Sequence, residues 1–488
     1  MKKILSFLLF YLVIALFFLW LIFDDFHLLI WSVVLLNIQN MLFSFINIRK
    51  RGYFLFINIT IFLFLLSRPF IDMLGSYKLV NYDEKTGSIA LLLIGLSLLS
   101  LFSGVLIHEK LFKEKDFKNN FFTYTDSNFI KNLQRVSIIL FFLCLIFNFM
   151  EGFEKIIFIQ NSSYYDFYVE YNSRLPFFVK GFSEMVPTFL AIYLCTLPSK
   201  KQTSFVLFIY TLSTIPSLIV GSRTSFSEAL VFTFLYFLMR DSLNYRASMV
   251  GLDKYKKWIT RSLKISIITI IPVIMILFSA YNYVRFEIEK TNDMNPIVDF
   301  VYNQGISFTT LTRGYTAAPY LPDHDNKNYT FGSFIDYITR GTPSQILFGV
   351  EGLGSNTVEH ATLGNSLSHA LSYHLYGKSY LNGQGAGSSY ILELYLDFGL
   401  IGIVIFSILL GILFSSFSNL IGNNWFKNVI LLRILMEVFL IPRGSALGWL
   451  NFLMGLQFWI PIFLCWFLSL AILSKQKKHV YRKSSLSY

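Results

Sequence analysis

The residues best suited to chemistry lie in the last third of the chain, where histidines and carboxylates follow one another. His360, His369 and His374 carry side chains that take up or release a proton near neutral pH. Glu393 and Asp397 follow at a spacing of four residues, which places them one turn apart on one face of a helix. An imidazole or a carboxylate within hydrogen-bond reach of a hydroxyl can act as its general base. These five residues are the candidate proton acceptors of the sequence.

Each of these side chains also has a simpler interpretation. A lone histidine in a polar loop is usually a surface residue. His369 and His374 are five residues apart, about 140° around a helix axis, so they share no face and cannot hold one metal ion from a single helix. Glu393 and Asp397 can equally pair with Arg433 or Arg443 and hold helices together.

Four arginines stand beside small residues. Arg223 follows a Gly-Ser pair, and Arg313, Arg340 and Arg443 each precede a glycine. The planar guanidinium donates in pairs to phosphate or carboxylate oxygens, and small neighbours let a head group approach. The alternative is that these side chains reach the membrane interface or pair with structural carboxylates. The sequence leaves both interpretations open.

The sequence predicts no metal site and no cofactor. Cys144, Cys195 and Cys465 all lie inside apolar runs, which indicates buried apolar side chains rather than a disulfide set or a metal site. Residues 323–325 have the form Asp-His-Asp, but an Asp-x-Asp pattern is common in polar loops, where it often caps turns.

The composition places these residues in a membrane protein. Of 488 residues, 54% are hydrophobic and 14% are charged, whereas about 25% of the residues in a soluble protein are charged. The apolar residues run in blocks that match the roughly 20 residues of a helix that crosses a bilayer. This excludes a soluble enzyme and a disordered chain.

We therefore predict an all-α, polytopic membrane protein with about twelve transmembrane helices. The spans are expected near residues 4–23, 28–47, 53–71, 88–107, 136–157, 182–198, 204–220, 225–240, 265–284, 388–414, 427–442 and 448–474. With both termini in the cytoplasm, the dense basic clusters fall in the inside loops, as the positive-inside rule requires. The net charge of +12 then reflects topology and contact with the anionic lipid bilayer, and nucleic acid is excluded as a partner.

These spans divide the chain into four parts. The parts are spans 1–9 in residues 1–284, a large extracytoplasmic loop in 285–387, spans 10–12 in 388–474 and a cytoplasmic tail in 475–488. A loop of that length is usually functional or disordered, and its many aromatic residues favour a folded layer. In it, Pro296 is predicted to begin a helix, and leucines at every fourth position predict an amphipathic helix over 361–376 that ends at Gly377.

One segment resembles a known family. Residues 382–402 read NGQGAGSSYILELYLDFGLIG and resemble the Gly-x-Gly-x-Gly-Ser-Ser-Tyr…Glu-x-Tyr-x-Asp-Phe-Gly block of the Wzy-type O-antigen polymerases. Two shorter fragments, GSRT at 221–224 and IPRG at 441–444, resemble the same family, as does the plan of many spans with one large late loop. The resemblance implies a multi-pass protein of the bacterial inner membrane whose large loop is periplasmic.

The resemblance also implies a reaction. A growing glycan on undecaprenyl diphosphate is transferred, with inversion and without a metal, to a sugar hydroxyl of a new undecaprenyl-diphosphate-linked oligosaccharide. Arg223, Arg313, Arg340 and Arg443 would bind the diphosphate, and the five proton acceptors would provide or line the site of the catalytic base. A Wzz-type chain-length regulator is the implied partner.

Two rival functions stay open. An O-antigen ligase has a similar plan but moves the glycan onto the lipid A core. A lipid-linked oligosaccharide flippase is not an enzyme, and it needs charged residues that line a central cavity rather than a large outer domain. The long loop and the polar block at 382–402 favour an enzyme.

Overall fold

The computed structural model consists of helices joined by turns and loops, with no strand in the part of the chain that it describes. It describes residues 2–485 except 76–81, 112–123, 125–126, 161, 163–166, 168–170, 253, 287–294, 323–325 and 418–423. The Asp-His-Asp sequence at 323–325 therefore lies outside the described residues.

The first part of the chain forms a bundle of apolar helices, most of them long. These are α1 Lys2–Phe23, α2 Phe26–Ile46, α3 Ile48–Gly75, α4 Glu84–Leu111, α5 Asn128–Ile159, α6 Phe177–Cys195, α7 Lys200–Ser213, α8 Ile215–Ile219, α9 Thr224–Met249 and α10 Arg261–Phe286. Helix α3 contains a π-helical turn at Phe62–Leu66. The predicted span 204–220 corresponds to the apolar segment Lys200–Ile219, which is long enough to cross a membrane. It is interrupted at Thr214, where α7 ends and α8 begins with Pro216 in its first turn.

Short helices between residues 296 and 387 form a second unit, the loop layer. They are α11 Pro296–Gln304, α12 Ile306–Ala317, α13 Gly332–Arg340, α14 Thr342–Phe348, α15 Val358–Leu363, α16 Leu367–Tyr376 and α17 Lys378–Leu381. The predicted start at Pro296 is confirmed, with Asn295 as the N-cap.

The prediction of one helix over 361–376 is wrong, although its end at Gly377 is confirmed. The chain breaks at Gly364, which is extended (φ −75°, ψ 158°). The next residue, Asn365, donates its backbone N–H to the Asp336 carboxylate at 2.9 and 3.0 Å instead of to a helical carbonyl. This tertiary hydrogen bond separates α15 from α16.

The chain then returns to the bundle through α18 Tyr390–Ser416, α19 Trp425–Glu437 and α20 Leu456–Ser485. The predicted span at 427–442 is not one α-helix, since α19 ends at Glu437 and a 3₁₀ segment continues to Arg443. Pro442 has no N–H to continue the helical ladder. The predicted span at 448–474 likewise begins with a 3₁₀ segment, Gly448–Leu453, before α20.

In the described part of the chain, nine helices are long and apolar enough to cross a membrane, so the protein is an all-α, polytopic membrane protein. The expected number of twelve spans stays a prediction. The three cysteines are buried and unpaired, as expected.

Helices α4 and α18 pack closely enough for their backbones to touch. A Cβ atom at Gly104 would lie 2.1 Å from the carbonyl oxygen of Ile408, and the Cα atom of Gly411 is 3.0 Å from the same position. Small residues permit such approaches in membrane bundles. The contact is extended by the Ser97 hydroxyl, which lies 2.6 Å from the Tyr390 hydroxyl. Helix α18, which carries two candidate carboxylates, is thereby fixed in the bundle.

Candidate active site

Arg443 lies at the junction of the bundle and the loop layer. Its side chain is exposed at the end of the 3₁₀ segment that follows α19. Its Nη1 donates to Oε1 of Gln304 on α11 at 3.1 Å, and its guanidinium carbon lies 5.9 Å from the ring centroid of Phe64 on α3. Elements from three parts of the chain therefore position this guanidinium.

Glu393 anchors the segment that follows Arg443. Its carboxylate is 1% exposed and accepts the backbone N–H of Ala446 at 2.7 Å and the Ser388 hydroxyl at 2.6 Å. A carboxylate with both oxygens engaged by buried donors is suited to holding a backbone in place. The suggested ion pair with Arg443 is not what the structure shows.

Asp397, one turn further along α18, anchors the loop layer. Its two carboxylate oxygens accept the backbone N–H groups of Tyr329 at 3.1 Å and Thr330 at 2.6 Å. The suggested pairing of these carboxylates with Arg433 is also replaced, because Arg433 binds Glu437 at 2.9 Å on its own helix.

The break at Gly364 brings two of the candidate histidines together. The imidazoles of His360 and His369 stack with their centroids 3.6 Å apart and their planes inclined by 19°. Nδ1 of His360 lies 2.7 Å from the Gly354 carbonyl oxygen, and Nδ1 of His369 lies 2.9 Å from the Tyr380 hydroxyl.

These contacts assign the tautomers of the pair. A carbonyl oxygen only accepts, so Nδ1 of His360 carries the proton. The Tyr380 hydroxyl donates to the Thr357 carbonyl at 3.2 Å, so it accepts from Nδ1 of His369. Each imidazole then keeps Nε2 as a proton acceptor. Burial, together with the neighbouring His360, lowers the pKa of His369 to about 4, which keeps this imidazole neutral at neutral pH.

His374 lies apart from this pair. It is exposed and stacks on Tyr320 with a centroid distance of 6.1 Å and an interplanar angle of 5°. The two rings form an aromatic surface on the loop layer.

The other predicted arginines are distributed over the loop layer and the bundle. Arg223 is half-buried and donates from Nη1 to the Phe278 carbonyl on α10 at 3.0 Å. Arg313 is exposed on α12, and Arg340 is the half-buried last residue of α13.

Arg68 is an arginine that the sequence analysis did not single out. It is 4% exposed and donates to the Tyr302 carbonyl at 3.3 Å and to the Thr309 hydroxyl at 2.9 Å. It interacts electrostatically with Asp72, one turn later, and with Arg313. An ionisable residue inside an apolar run was the available sequence signal.

A polar cavity of about 470 Å³ opens beside the segment that follows Arg443. Its wall includes Gly444, Ser445 and Trp449 from that segment, with three charged side chains from two helices. These are Glu228 on α9 and Arg433 and Glu437 on α19.

The described residues contain no group of three or more His, Cys, Asp or Glu side chains that could hold a metal ion. The cationic groups near the junction are arginines, whose guanidinium groups are suited to phosphate oxygens.

The chain matches one family model along nearly its whole length. The model of the O-antigen polysaccharide polymerase Wzy family covers residues 4–477. No curated protein and no solved structure matches the chain.

Proposed function

Because the chain belongs to the O-antigen polysaccharide polymerase Wzy family, we propose that it polymerises undecaprenyl-diphosphate-linked oligosaccharide repeat units at the periplasmic face of the inner membrane. The acceptor hydroxyl oxygen bonds to the anomeric carbon of the donor glycan while the bond from that carbon to the diphosphate breaks. Undecaprenyl diphosphate leaves with the electron pair, the hydroxyl proton passes to a base, and the anomeric configuration inverts.

Arg443 is the residue on which this proposal chiefly rests. Its exposed guanidinium is held by Gln304 at the junction of the two units, next to a polar cavity. A diphosphate leaving group needs little protonation but does need cationic donors, and a bidentate guanidinium supplies them without a metal. Arg223, Arg313 and Arg340 are proposed as further diphosphate contacts.

The base is proposed to be Nε2 of His369 or His360. Both imidazoles have Nδ1 engaged, and His369 is neutral at neutral pH, as a general base must be. His374 would contribute to sugar binding through its stack with Tyr320. Glu393 and Asp397 act in this scheme as positioning residues, since their oxygens already accept backbone hydrogen bonds.

The proposed topology has both termini in the cytoplasm and the loop layer in the periplasm. A Wzz-type regulator of chain length is the proposed protein partner. The loop layer is then the part of the chain that both the growing glycan and this partner would meet.

The test is a gel of surface polysaccharide from cells lacking the chain and from cells carrying Arg443→Ala, Arg443→Lys or Arg135→Ala. Arg135 is an exposed arginine on α5 and serves as the matched control. We expect the lipid A core to carry a single repeat unit in the deletion strain and in cells with Arg443→Ala. Arg443→Lys should give short ladders, because lysine keeps the charge but lacks the planar guanidinium group. Arg135→Ala should give a full ladder.

Other results would contradict the proposal. Core without any repeat unit in the deletion strain, with polymer accumulating on its lipid carrier, would identify a ligase. Core without any repeat unit and without periplasmic polymer would identify a flippase. A full ladder with Arg443→Ala would remove Arg443 from the diphosphate site while retaining the polymerase.

A further inference from the structure

The polar cavity between α9 and α19 has the features of a ligand site rather than of a packing defect. Its volume of about 470 Å³ falls within the range of small-molecule pockets, about 300–1,000 Å³. Aromatic side chains, Tyr210 and Trp449, contribute to a wall that also carries charged groups.

The charged groups in this cavity have unused hydrogen-bonding capacity. Arg433 is 8% exposed, and its Nη2 binds Glu437 at 2.9 Å, yet its buried Nε has no hydrogen-bond partner. Glu228 faces the same cavity and interacts electrostatically with Arg433 and Glu437, but no described residue donates a hydrogen bond to its carboxylate. Buried polar groups without partners are rare in proteins and need an explanation.

The ion pair in the wall indicates the kind of ligand. Arg433 is already paired with the Glu437 carboxylate at 2.9 Å, so its charge is compensated and the cavity favours an uncharged, hydrogen-bonding ligand. A sugar hydroxyl both donates and accepts, so one ring can donate to Glu228 and accept from Arg433. Trp449 is fixed by a 2.7 Å hydrogen bond from its indole Nε1 to the Ala446 carbonyl, and it offers a ring against which a sugar can pack.

The position of the cavity connects it to the proposed reaction. Gly444 and Ser445 in its wall directly follow Arg443, and Ala446 is held by Glu393. We propose that this cavity is the subsite for an uncharged sugar ring of the acceptor repeat unit, with Glu228 and Arg433 as its hydroxyl-binding groups. This inference rests on the proposed polymerase function and identifies residues that recognise its substrate.

The test is a binding experiment that does not depend on turnover. Ser445→Cys places a thiol in the cavity wall, and the three native cysteines are buried, so a maleimide should label the new thiol selectively in the purified protein. The probe is the cell's own repeat-unit oligosaccharide, released from its lipid by mild acid. We expect it to slow labelling of Ser445→Cys in a saturable manner.

Matched second substitutions identify the binding group. Adding Glu228→Gln should raise the half-protecting concentration about tenfold or more, because the sugar hydroxyl loses its hydrogen bond to the Glu228 carboxyl group. Adding Glu184→Gln should leave it unchanged, since Glu184 is an exposed carboxylate on α6 outside the cavity wall.

The outcomes separate this inference from the proposed function. Labelling that saturating oligosaccharide does not slow, in a protein that still polymerises lipid-linked repeat units in vesicles, overturns the subsite and keeps the polymerase. Protection that survives Glu228→Gln unchanged overturns the role of Glu228. Protection of Ser445→Cys by the oligosaccharide, together with wild-type protein that forms no polymer from the lipid-linked unit, overturns the polymerase instead.

Discussion

The carboxylate of Glu393 accepts a 2.7 Å hydrogen bond from the backbone N–H of Ala446, three residues beyond Arg443. Glu393 lies on α18 and Ala446 lies between two 3₁₀ segments. The hydrogen bond therefore joins the polar block at 382–402 to the segment that follows Arg443, and it does so only in the folded protein. The buried Glu393 therefore helps to hold the backbone that follows Arg443 in place.

Substitution of Glu393 should reduce stability and activity together. Glu393→Gln replaces one accepting oxygen with an NH₂ group, which cannot accept from both Ser388 and Ala446. We expect a loss of about 1–3 kcal/mol in the free energy of unfolding, since a buried donor is left unsatisfied. Thermal unfolding in detergent and ladder length in cells measure the two effects. Unchanged stability with abolished polymerisation would assign Glu393 a catalytic role instead.

Substitution of Asp397 should loosen the loop layer. Asp397→Asn leaves one of the two backbone N–H groups at Tyr329 and Thr330 facing an amide NH₂ group. We expect the anchor to weaken by about 1.5–3 kcal/mol, the contribution of hydrogen bonds to a charged group. Limited proteolysis of the purified protein should then cut within the loop layer faster than in the wild type. Glu351→Gln, an exposed carboxylate in the same unit, is the control and should not change the cleavage rate.

The histidine pair predicts a defined dependence on pH. The pKa of His369 is about 4 in the folded protein and about 6.5 when unfolded. Between these values the unfolded state binds more protons, so stability falls as pH decreases from about 6.5 to about 4. Activity that depends on neutral His369 should persist through pH 6 and decline only near its folded pKa. Thermal unfolding should therefore show that the wild-type protein loses stability relative to His369→Gln as the pH decreases across this range, because glutamine does not titrate there.

The tautomer of His369 can be tested separately. Tyr380→Phe removes the hydroxyl that accepts the hydrogen bond from Nδ1 of His369. A hydrogen bond contributes about 1 kcal/mol, so we expect its loss to lower the polymerisation rate roughly fivefold. Tyr373→Phe is the matched control, because Tyr373 contacts Tyr380 only through its ring. Equal rates for the two variants would contradict the assignment of His369 as the oriented base.

The contact between α4 and α18 should not tolerate a methyl group. In Gly104→Ala the new Cβ would meet the Ile408 carbonyl, so the helices must separate, and we expect a loss of about 1–3 kcal/mol. Gly181→Ala is the control, because nothing lies within 4 Å of a Cβ there. Alanine raises helix propensity by about 1 kcal/mol at either position. Thermal unfolding of both variants should therefore show opposite shifts.

The amino-acid sequence by itself determined that this is a helical membrane protein. A bilayer satisfies no backbone hydrogen bond, so long apolar runs must become helices, and their positions can be read from composition alone. Local chemistry also fixed some ends, such as Pro296 at a helix start and Gly377 at a helix end. The block at 382–402 indicated the polymerase family because all of its residues are contiguous in the chain and can be compared without the fold.

Only the tertiary structure decided which side chains meet. Glu228 and Arg433 are far apart in sequence, and no periodicity relates them, yet they line one cavity. His360 and His369 stack because Asp336 breaks the helix between them through a bond to Asn365, a contact across the loop layer. Glu393 and Asp397 are equivalent in the sequence, one turn apart on one helical face. In the structure, Glu393 accepts a hydrogen bond from the segment that follows Arg443, whereas Asp397 accepts hydrogen bonds from the loop layer. Such roles depend on partners from distant segments, and local sequence preferences carry no information about them.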